Sequence, residues 1–247
     1  MTRGVDSVER ALTILGAFTP KEPVLTLRQI AAITELNKAT ILRIIVSLER
    51  FGYAWRLGDG RYALGPAVLQ LAGTYQRAFG LSDLVPPVLR DLVKETTDTA
   101  AFFTRHGNQR LCLFMCESTS TLRSHLREGD IRPLRPSGSG KVLQAFAGEK
   151  GDDLAVVREN YVAYNNGERD PEIASIAAPV FKIGQELVGA VTISGPIAHF
   201  AKPQTAQKTA VILRAAARLT RGLGGNPEPL EAKAAALAPA AKVPRRK

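Results

Sequence analysis

Apolar residues in the first quarter of the chain recur every three to four positions, which is the spacing of one face of an α-helix. A first stripe of this kind covers residues 7–18. Thr26 and Gln29 then form a T-x-x-Q pair, the pattern of a capping box, so a second helix is expected to begin at Leu27. The chain therefore opens with two short helices separated by a turn that contains prolines.

A third helical pattern begins directly after the second. Asn37 is a suitable N-cap for it, because its side-chain oxygen can accept a hydrogen bond from the helix start. Gly52 stands where a C′ glycine ends a helix. The apolar stripe between these two points consists of Ile41, Ile44, Ile45 and Leu48. The second and third helices are thus separated by only a tight turn.

Two β-rich runs, 53–57 and 61–64, follow and are joined by a Gly-Asp-Gly turn typical of a hairpin. Helix, turn, helix and basic hairpin is the order of a winged helix-turn-helix, whose second helix enters the major groove of DNA. We therefore predict a DNA-binding domain over residues 1–65. The candidate DNA contacts lie at the helix starts and around the hairpin turn: Thr26, Asn37, Lys38, Thr40, Arg43, Arg56 and Arg61.

The residue types at these positions suit two kinds of DNA contact. Arg43 can hold guanine through two parallel hydrogen bonds, whereas Lys38 and Thr40 suit phosphates or base edges. Arg56 and Arg61 flank the hairpin turn, where we expect them to meet phosphate or to enter the minor groove.

The periodicity changes in the rest of the chain. Pro66 suits the first turn of a helix, and residues 66–80 are predicted to form a linker helix. Strand-like runs then occupy 100–105, 110–116, 122–126, 176–181 and 187–194, and helical patterns occupy 82–96, 139–148 and 205–222. This grouping indicates an α+β domain over 81–222 with a mainly antiparallel sheet. Residues 223–247, rich in Ala, Pro and Lys, are expected to form a disordered basic tail.

Composition narrows the class of protein. The net charge is +10, with +4 over residues 1–79, +3 over 80–221 and +3 over 222–247. Positive charge is therefore densest at the two ends, which favours a polyanion partner there. The two cysteines, Cys112 and Cys116, cannot build a disulfide framework, and no metal or cofactor is expected. With no leader and no apolar run of about 18 residues, the sequence predicts a cytoplasmic protein without a membrane partner.

Short motifs occur in both predicted domains. The first contains Ser7-Val8-Glu9-Arg10-Ala11-Leu12, Leu27-x-x-Ile30-Ala31, Lys38-Ala39-Thr40 and Arg61-Tyr62-x-Leu64-Gly65. The second contains Ser137-Gly138-Ser139-Gly140-Lys141, Ile176-Ala177-Ala178-Pro179-Val180-Phe181 and Gly189-Ala190-Val191-Thr192-Ile193-Ser194-Gly195-Pro196. Together, up to about residue 222, the chain resembles the IclR family of bacterial transcription regulators. The resemblance implies a winged helix-turn-helix followed by a GAF-like effector-binding domain, in dimers and often tetramers.

The resemblance also implies where an effector binds. The backbone at Gly138 and Ser139 matches a loop that opens a helix beside the ligand, and a helix start is a ready anion site. The other matching positions are Asn165, Ser175, Thr192 and Ser194. Thr192 and Ser194 face the same way because they are two residues apart on a strand. Arg132, shortly before the loop, favours a carboxylate ligand.

We therefore expect the effector to be a small organic acid, aromatic acids included. Phe102, Phe114 and His125 are candidates for an aromatic wall of the effector site, although each of these residue types lies more often in a core or on a surface. Leu42 departs from the family's pattern, in which a polar residue is common at this position, so no operator sequence is carried over.

An enzyme is not expected. Residues 137–141 resemble a P-loop only superficially, because Arg135 and Val142 stand where that motif needs Gly and Ser or Thr. No G-x-S-x-G is present.

The sequence predicts a ligand-responsive regulator of catabolic or transport genes, with repressor and activator both open. Because two-fold protein symmetry calls for two half-sites, we expect a homodimer or a dimer of dimers on a near-palindromic operator. The alternative is a constitutive, architectural DNA-binding protein without an effector.

Overall fold

The computed structural model describes residues 4–78, 80–118 and 126–237. The chain forms two compact units, Met1–Phe79 and Gly80–Lys247. The elements of the first unit, in chain order, are α1 (Asp6–Gly16), β1 (Val24–Leu25), α2 (Leu27–Thr34), α3 (Lys38–Arg50), β2 (Ala54–Arg56), β3 (Tyr62–Leu64) and α4 (Pro66–Ala78). The three strands form an antiparallel sheet in the order β1-β3-β2.

Local sequence signals set the helix boundaries of this unit. Thr26 Oγ1 accepts a hydrogen bond from the Gln29 amide at 3.2 Å, and the Gln29 side chain accepts one from the Thr26 amide at 2.9 Å, which confirms the predicted capping box. Asn37 Oδ1 likewise caps α3 by accepting from the Thr40 amide at 2.8 Å. Fully or nearly fully buried residues from α1, α2 and α3 form the core between the helices: Ile14, Ile30, Ile41 and Ile45.

The end of α3 is a Schellman motif built on Gly52. Its φ of 73° is left-handed, a conformation that glycine adopts without steric cost. The Tyr53 amide donates to the Leu48 carbonyl at 2.8 Å, and the Gly52 amide donates to the Glu49 carbonyl at 2.9 Å. This turn leads the chain from α3 directly into the hairpin, so the predicted helix-turn-helix with its wing is confirmed.

The second unit is a sheet between helices. Its elements are α5 (Val85–Thr96), β4 (Thr99–His106), β5 (Gln109–Cys116), β6 (Ile131–Pro133), α6 (Gly138–Phe146), α7 (Asp152–Asn160), β7 (Ala163–Asn166), β8 (Ile173–Phe181), β9 (Leu187–Pro196), α8 (Gln204–Gly222) and α9 (Glu228–Leu237). Six strands pair in the order β6-β5-β4-β9-β8-β7, and every neighbouring pair is antiparallel. The expected α+β architecture is confirmed.

The two faces of this sheet bury separate cores. Helices α5 and α8 pack on one face, with α9 against α8, whereas α6 packs on the other with α7 against it. Alternation along β4 divides its side chains accordingly: Phe102 joins the first core and Phe103 the second. Because both faces are covered, the inner strands β8 and β9 are almost continuously apolar, which made them visible in the sequence.

The C-terminal segment differs from the expectation of a disordered tail over 223–247. Residues Glu228–Leu237 form α9, which buries Leu230 and Ala234 against the first core. These two residues are four apart and so share one helix face, a periodicity that the Ala-, Pro- and Lys-rich composition conceals. Residues 238–247 lie outside the described part of the chain.

Besides α9, three elements of the second unit have no counterpart in the sequence-based expectation: the helix α7 and the short strands β6 and β7. The strand expected at 122–126 falls largely on residues 119–125, which are outside the described residues. The short strands carry only three and four residues, too few for a visible alternation.

Candidate functional site

The start of α3 presents a basic surface. Lys38 and Arg43 are exposed, and Thr40 lies half-buried between them on the first turns of the helix. Thr26 and Asn37, the other two predicted contacts on the helices, are exposed but use their side-chain oxygens to cap α2 and α3. They therefore position the helices whatever else they contact.

The wing has one available arginine and one that is already paired. Arg56 is exposed on β2. Arg61 forms an ion pair with Asp59 across the hairpin turn, where Nε and Nη2 each lie 2.7 Å from Oδ2. The hydrogen bond from the Arg61 side chain lowers the pKa of Asp59. This ion pair engages two of the three nitrogen atoms of the Arg61 guanidinium.

A cavity of about 540 Å³ opens on the face of the second sheet that carries α6. We call it the effector pocket. Six of the seven predicted effector residues line it: Arg132, Ser139, Asn165, Ser175, Thr192 and Ser194. The sheet register explains the assembly, because Asn165 pairs with Ser175, and Ser175 pairs with Ser194, across β7, β8 and β9. Residues distant in sequence thus form one polar row.

Gly138, the seventh residue, lies behind the lining. A Cβ added to it would lie 3.2 Å from the Ala163 carbonyl oxygen and 3.4 Å from Ser175 Oγ. Its small size therefore lets the start of α6 approach β7 and β8 closely.

The start of α6 is held tightly beside the pocket. The Ser137 hydroxyl accepts from the Gly140 amide at 2.9 Å and donates to the Leu134 carbonyl at 2.7 Å. Any side chain at Gly140 would collide with that carbonyl, because a Cβ would lie 1.5 Å from its oxygen. Gly138 and Ser139 occupy the first two positions of the helix, whose amides have no partner within a helix. This end of α6 carries partial positive charge, which favours an anion.

Arg110, at the start of β5, is the main pocket residue that sequence reasoning missed. It is only 7% exposed. Its Nη1 donates to Ser139 Oγ at 3.1 Å and its Nε to the Pro133 carbonyl at 3.2 Å, while its guanidinium carbon lies 4.3 Å from the centre of the Phe103 ring. None of these partners carries a negative charge, so a buried cation lines the pocket without a carboxylate among the described residues.

The surroundings of Arg110 are electrostatically unfavourable for its charge. Burial, followed by the positive charges of Arg169 and Arg132, lowers its pKa from the usual arginine range to about 10. Arg132 lines the pocket half-buried, and its Nη2 lies 2.9 Å from Asp130 Oδ2. The guanidinium of Arg110 remains charged near neutral pH, and an anion in the pocket would relieve its burial cost.

Two further polar atoms of the pocket residues lack a partner. Asn165 Nδ2 and the Thr192 hydroxyl oxygen are buried, and within the described part of the chain neither forms a hydrogen bond. An unpaired buried polar group costs about 1–3 kcal/mol. Both groups can donate to an acceptor in the pocket. The pocket therefore offers a guanidinium, an amide and a hydroxyl to one acceptor-rich ligand.

Two of the three candidates for an aromatic wall have the more ordinary role in the core. Phe102 and Phe114 are buried in the core on the opposite face of the sheet. Phe103, the neighbour of Phe102, lines the pocket instead. His125 lies outside the described residues.

Other kinds of site find little support. In residues 4–78, 80–118 and 126–237, no group of three or more His, Cys, Asp or Glu side chains is placed to hold a metal ion. Burial raises the pKa of the Cys112 thiol to about 12, so it is a poor nucleophile at neutral pH. None of the described helices has both the length and the apolar character needed to cross a membrane.

A winged helix-turn-helix joined to an α+β domain with a ligand-sized polar pocket defines a class of protein, the DNA-binding transcription regulators with an effector domain. The model of the IclR helix-turn-helix domain matches residues 7–57, and that of the bacterial transcriptional regulator IclR C-terminal domain matches residues 150–221. The chain belongs to the IclR family of transcription regulators, and, as its sequence predicts, it is a regulator rather than an enzyme.

Individual relatives agree with this assignment over most of the chain. The regulator BhcR of Paracoccus denitrificans is 26% identical, over 89% of this chain and 88% of its own length. The transcriptional repressor IclR of Escherichia coli is 23% identical, over 91% and 92%. Among solved structures, Thermotoga maritima IclR has a TM-score of 0.73 at 20% identity, covering 89% of this chain and 99% of that one.

A second solved structure contains a bound ligand. An IclR homologue from Microbacterium hydrocarbonoxydans complexed with 4-hydroxybenzoate has a TM-score of 0.80 at 18% identity, covering 88% of this chain and 99% of that one. At 18% identity, this similarity shows a shared fold and nothing about the ligand of the present chain.

Proposed function

We propose that this regulator senses a small organic acid in the effector pocket and changes its affinity for a near-palindromic operator in response. The single observation that carries the proposal is Arg110, a buried guanidinium without a carboxylate partner among the described residues. Burying an unpaired charge is costly, so such a group is characteristic of a site that awaits its counter-ion.

The acid's carboxylate would bind between Arg110, Thr192 and Asn165. The guanidinium supplies a charge-assisted hydrogen bond, and the two unpaired groups supply neutral donors on the sheet side. Ser139, Ser175, Ser194 and Arg132 complete the polar lining. Gly138 brings the start of α6 within reach of the same anion.

On the DNA side, we propose that α3 enters the major groove and that the wing contacts the adjacent backbone. Arg43, exposed on the second turn of α3, is the proposed base contact, with Lys38 and Thr40 on phosphates or bases. Arg56 and, after release from Asp59, Arg61 contact the phosphate backbone of the DNA. Thr26 and Asn37 lie at the starts of their helices, beside the same phosphate backbone.

A second copy of the chain is proposed to complete the operator complex. Helix α1 and its N-cap residue expose an apolar stripe at helical spacing, with Val5 at 65%, Val8 at 53% and Leu12 at 62%. Apolar stripes of this kind favour association, and two-fold symmetry then gives two half-sites. The binding energy of the acid acts by favouring one of two arrangements of this assembly, as linkage requires.

An architectural DNA-binding protein without an effector is the weaker candidate. It would need DNA-contacting surface, but it has no use for a pocket whose buried donors are unsatisfied. We propose that its target genes serve the catabolism or transport of the acid that it senses.

Crossed variants test the proposal. An operator is first selected from random DNA, and small carboxylic acids are then screened for a change in operator affinity and in melting temperature. Arg43→Ala should lower affinity for the selected site by about 1–3 kcal/mol without changing acid binding. Thr192→Val should weaken acid binding and leave acid-free DNA binding unchanged. Acid binding without any effect on DNA affinity would refute the switch, and no acid binding would refute the pocket.

A further inference from the structure

The mouth of the effector pocket carries a second cation. Arg169 lies in the loop between β7 and β8, is exposed, and lines the same cavity as the buried Arg110. Among the residues that the structure describes, neither guanidinium forms an ion pair with a carboxylate. The third arginine of the pocket, Arg132, has Asp130 beside it.

The two unpaired cations affect each other. After burial itself, the charge of Arg169 is the largest cause that lowers the pKa of Arg110. Two like charges that face one cavity repel each other. This repulsion destabilises the protein until an anion binds between the two charges. A monocarboxylate placed against Arg110 neutralises one of these charges and leaves the other.

We propose that the effector is a short dicarboxylic acid, with one carboxylate on Arg110 deep in the pocket and the other on Arg169 at its mouth. This inference rests on the proposed function of the pocket as an acid sensor. The deep carboxylate also accepts from Asn165 and Thr192, whose donors are otherwise unpaired. The mouth carboxylate has a single charged partner and depends on it.

Two acidic residues at the mouth limit the length of the ligand. Asp170 and Glu172 line the same rim, and both are exposed. Because water screens exposed charges, these two carboxylates act mainly on a group that comes close to them. They do repel a carboxylate that extends beyond Arg169, so a short carbon chain is favoured over a long one.

Matched pairs of acids test this assignment on the full chain. Calorimetric titration compares butyrate with succinate and valerate with glutarate, pairs that differ only in the second carboxylate. We expect each diacid to bind at least about tenfold more tightly than its monoacid. Arg169→Gln should remove this advantage and weaken monoacid binding far less than diacid binding. Arg90→Gln, at an exposed arginine on the opposite side of the sheet, is the control and should change neither.

The outcomes separate the two proposals. If monoacids bind and diacids gain nothing, or if Arg169→Gln weakens both kinds of acid equally, the dicarboxylate assignment is refuted and the acid pocket stands. If neither kind binds, the dicarboxylate assignment and the pocket's proposed function both fail.

Discussion

Arg110→Met is expected to stabilise the ligand-free protein while abolishing acid binding. The fall in the pKa of Arg110 from the usual arginine range to about 10 corresponds to about 3 kcal/mol against the charged form in the folded state. Because a base with a depressed pKa is still protonated in both states below pH 10, this cost is fully present at neutral pH and falls only as the pH rises above that value.

The interactions of the guanidinium offset part of this cost. It donates to Ser139 and Pro133 and lies over the Phe103 ring, and each such contact contributes about 1 kcal/mol or less. A flexible apolar side chain of similar length should therefore gain about 1 kcal/mol net. For a unit of this size, that is an increase of about 2–4 °C in melting temperature.

Calorimetric unfolding with and without acid measures both effects, and Arg90→Met serves as the exposed control. The reasoning is refuted if Arg110→Met lowers the melting temperature of the ligand-free protein, since the arginine would then be a structural residue. It is also refuted if the variant still binds acid with unchanged affinity.

Two further predictions concern the DNA-binding unit. Asp59→Asn should free Arg61 and increase affinity for random DNA, with the salt dependence steeper by about one phosphate contact, and unchanged salt dependence would show that Arg61 does not reach DNA. Leu42, 42% exposed beside Arg43 on α3, is expected to pack on a thymine methyl. Replacing thymine by deoxyuridine in a selected operator removes this methyl group. The replacement should lower the operator affinity of the unmutated protein about threefold and leave the operator affinity of the Leu42→Ala variant unchanged. Equal losses of affinity for the two proteins would contradict the contact.

The parts of the structure that sequence predicted are those governed by local interactions. The capping box at Thr26 and the N-cap at Asn37 involve residues three apart, so their pattern is present in the chain itself. Thr192 and Ser194 both line the pocket, as their spacing on one strand predicts.

The residues that sequence missed depend on long-range pairing. Arg110 begins a strand beside a turn, where a charged residue is ordinarily solvated. Its burial follows from the register that sets Arg110 against Arg132 on β6, a strand too short to predict. Alternation does supply a partial signal, because Arg110 shares the face of Cys112, which is completely buried. The same kind of signal, Leu230 and Ala234 on one face, was available for α9.

The division of the sheet into two faces has a consequence for how this protein can change over evolutionary time. The larger of the two cores is the one that α5, α8 and α9 cover, whereas the proposed ligand contacts lie on the other face of the same sheet. Adjacent positions such as Phe102 and Phe103 therefore face different constraints. If the proposed ligand contacts are right, mutations at Asn165 or Thr192, whose buried polar atoms form no hydrogen bond within the described residues, would alter the recognised molecule with little loss of folding free energy. New ligand specificities would then be accessible through single substitutions.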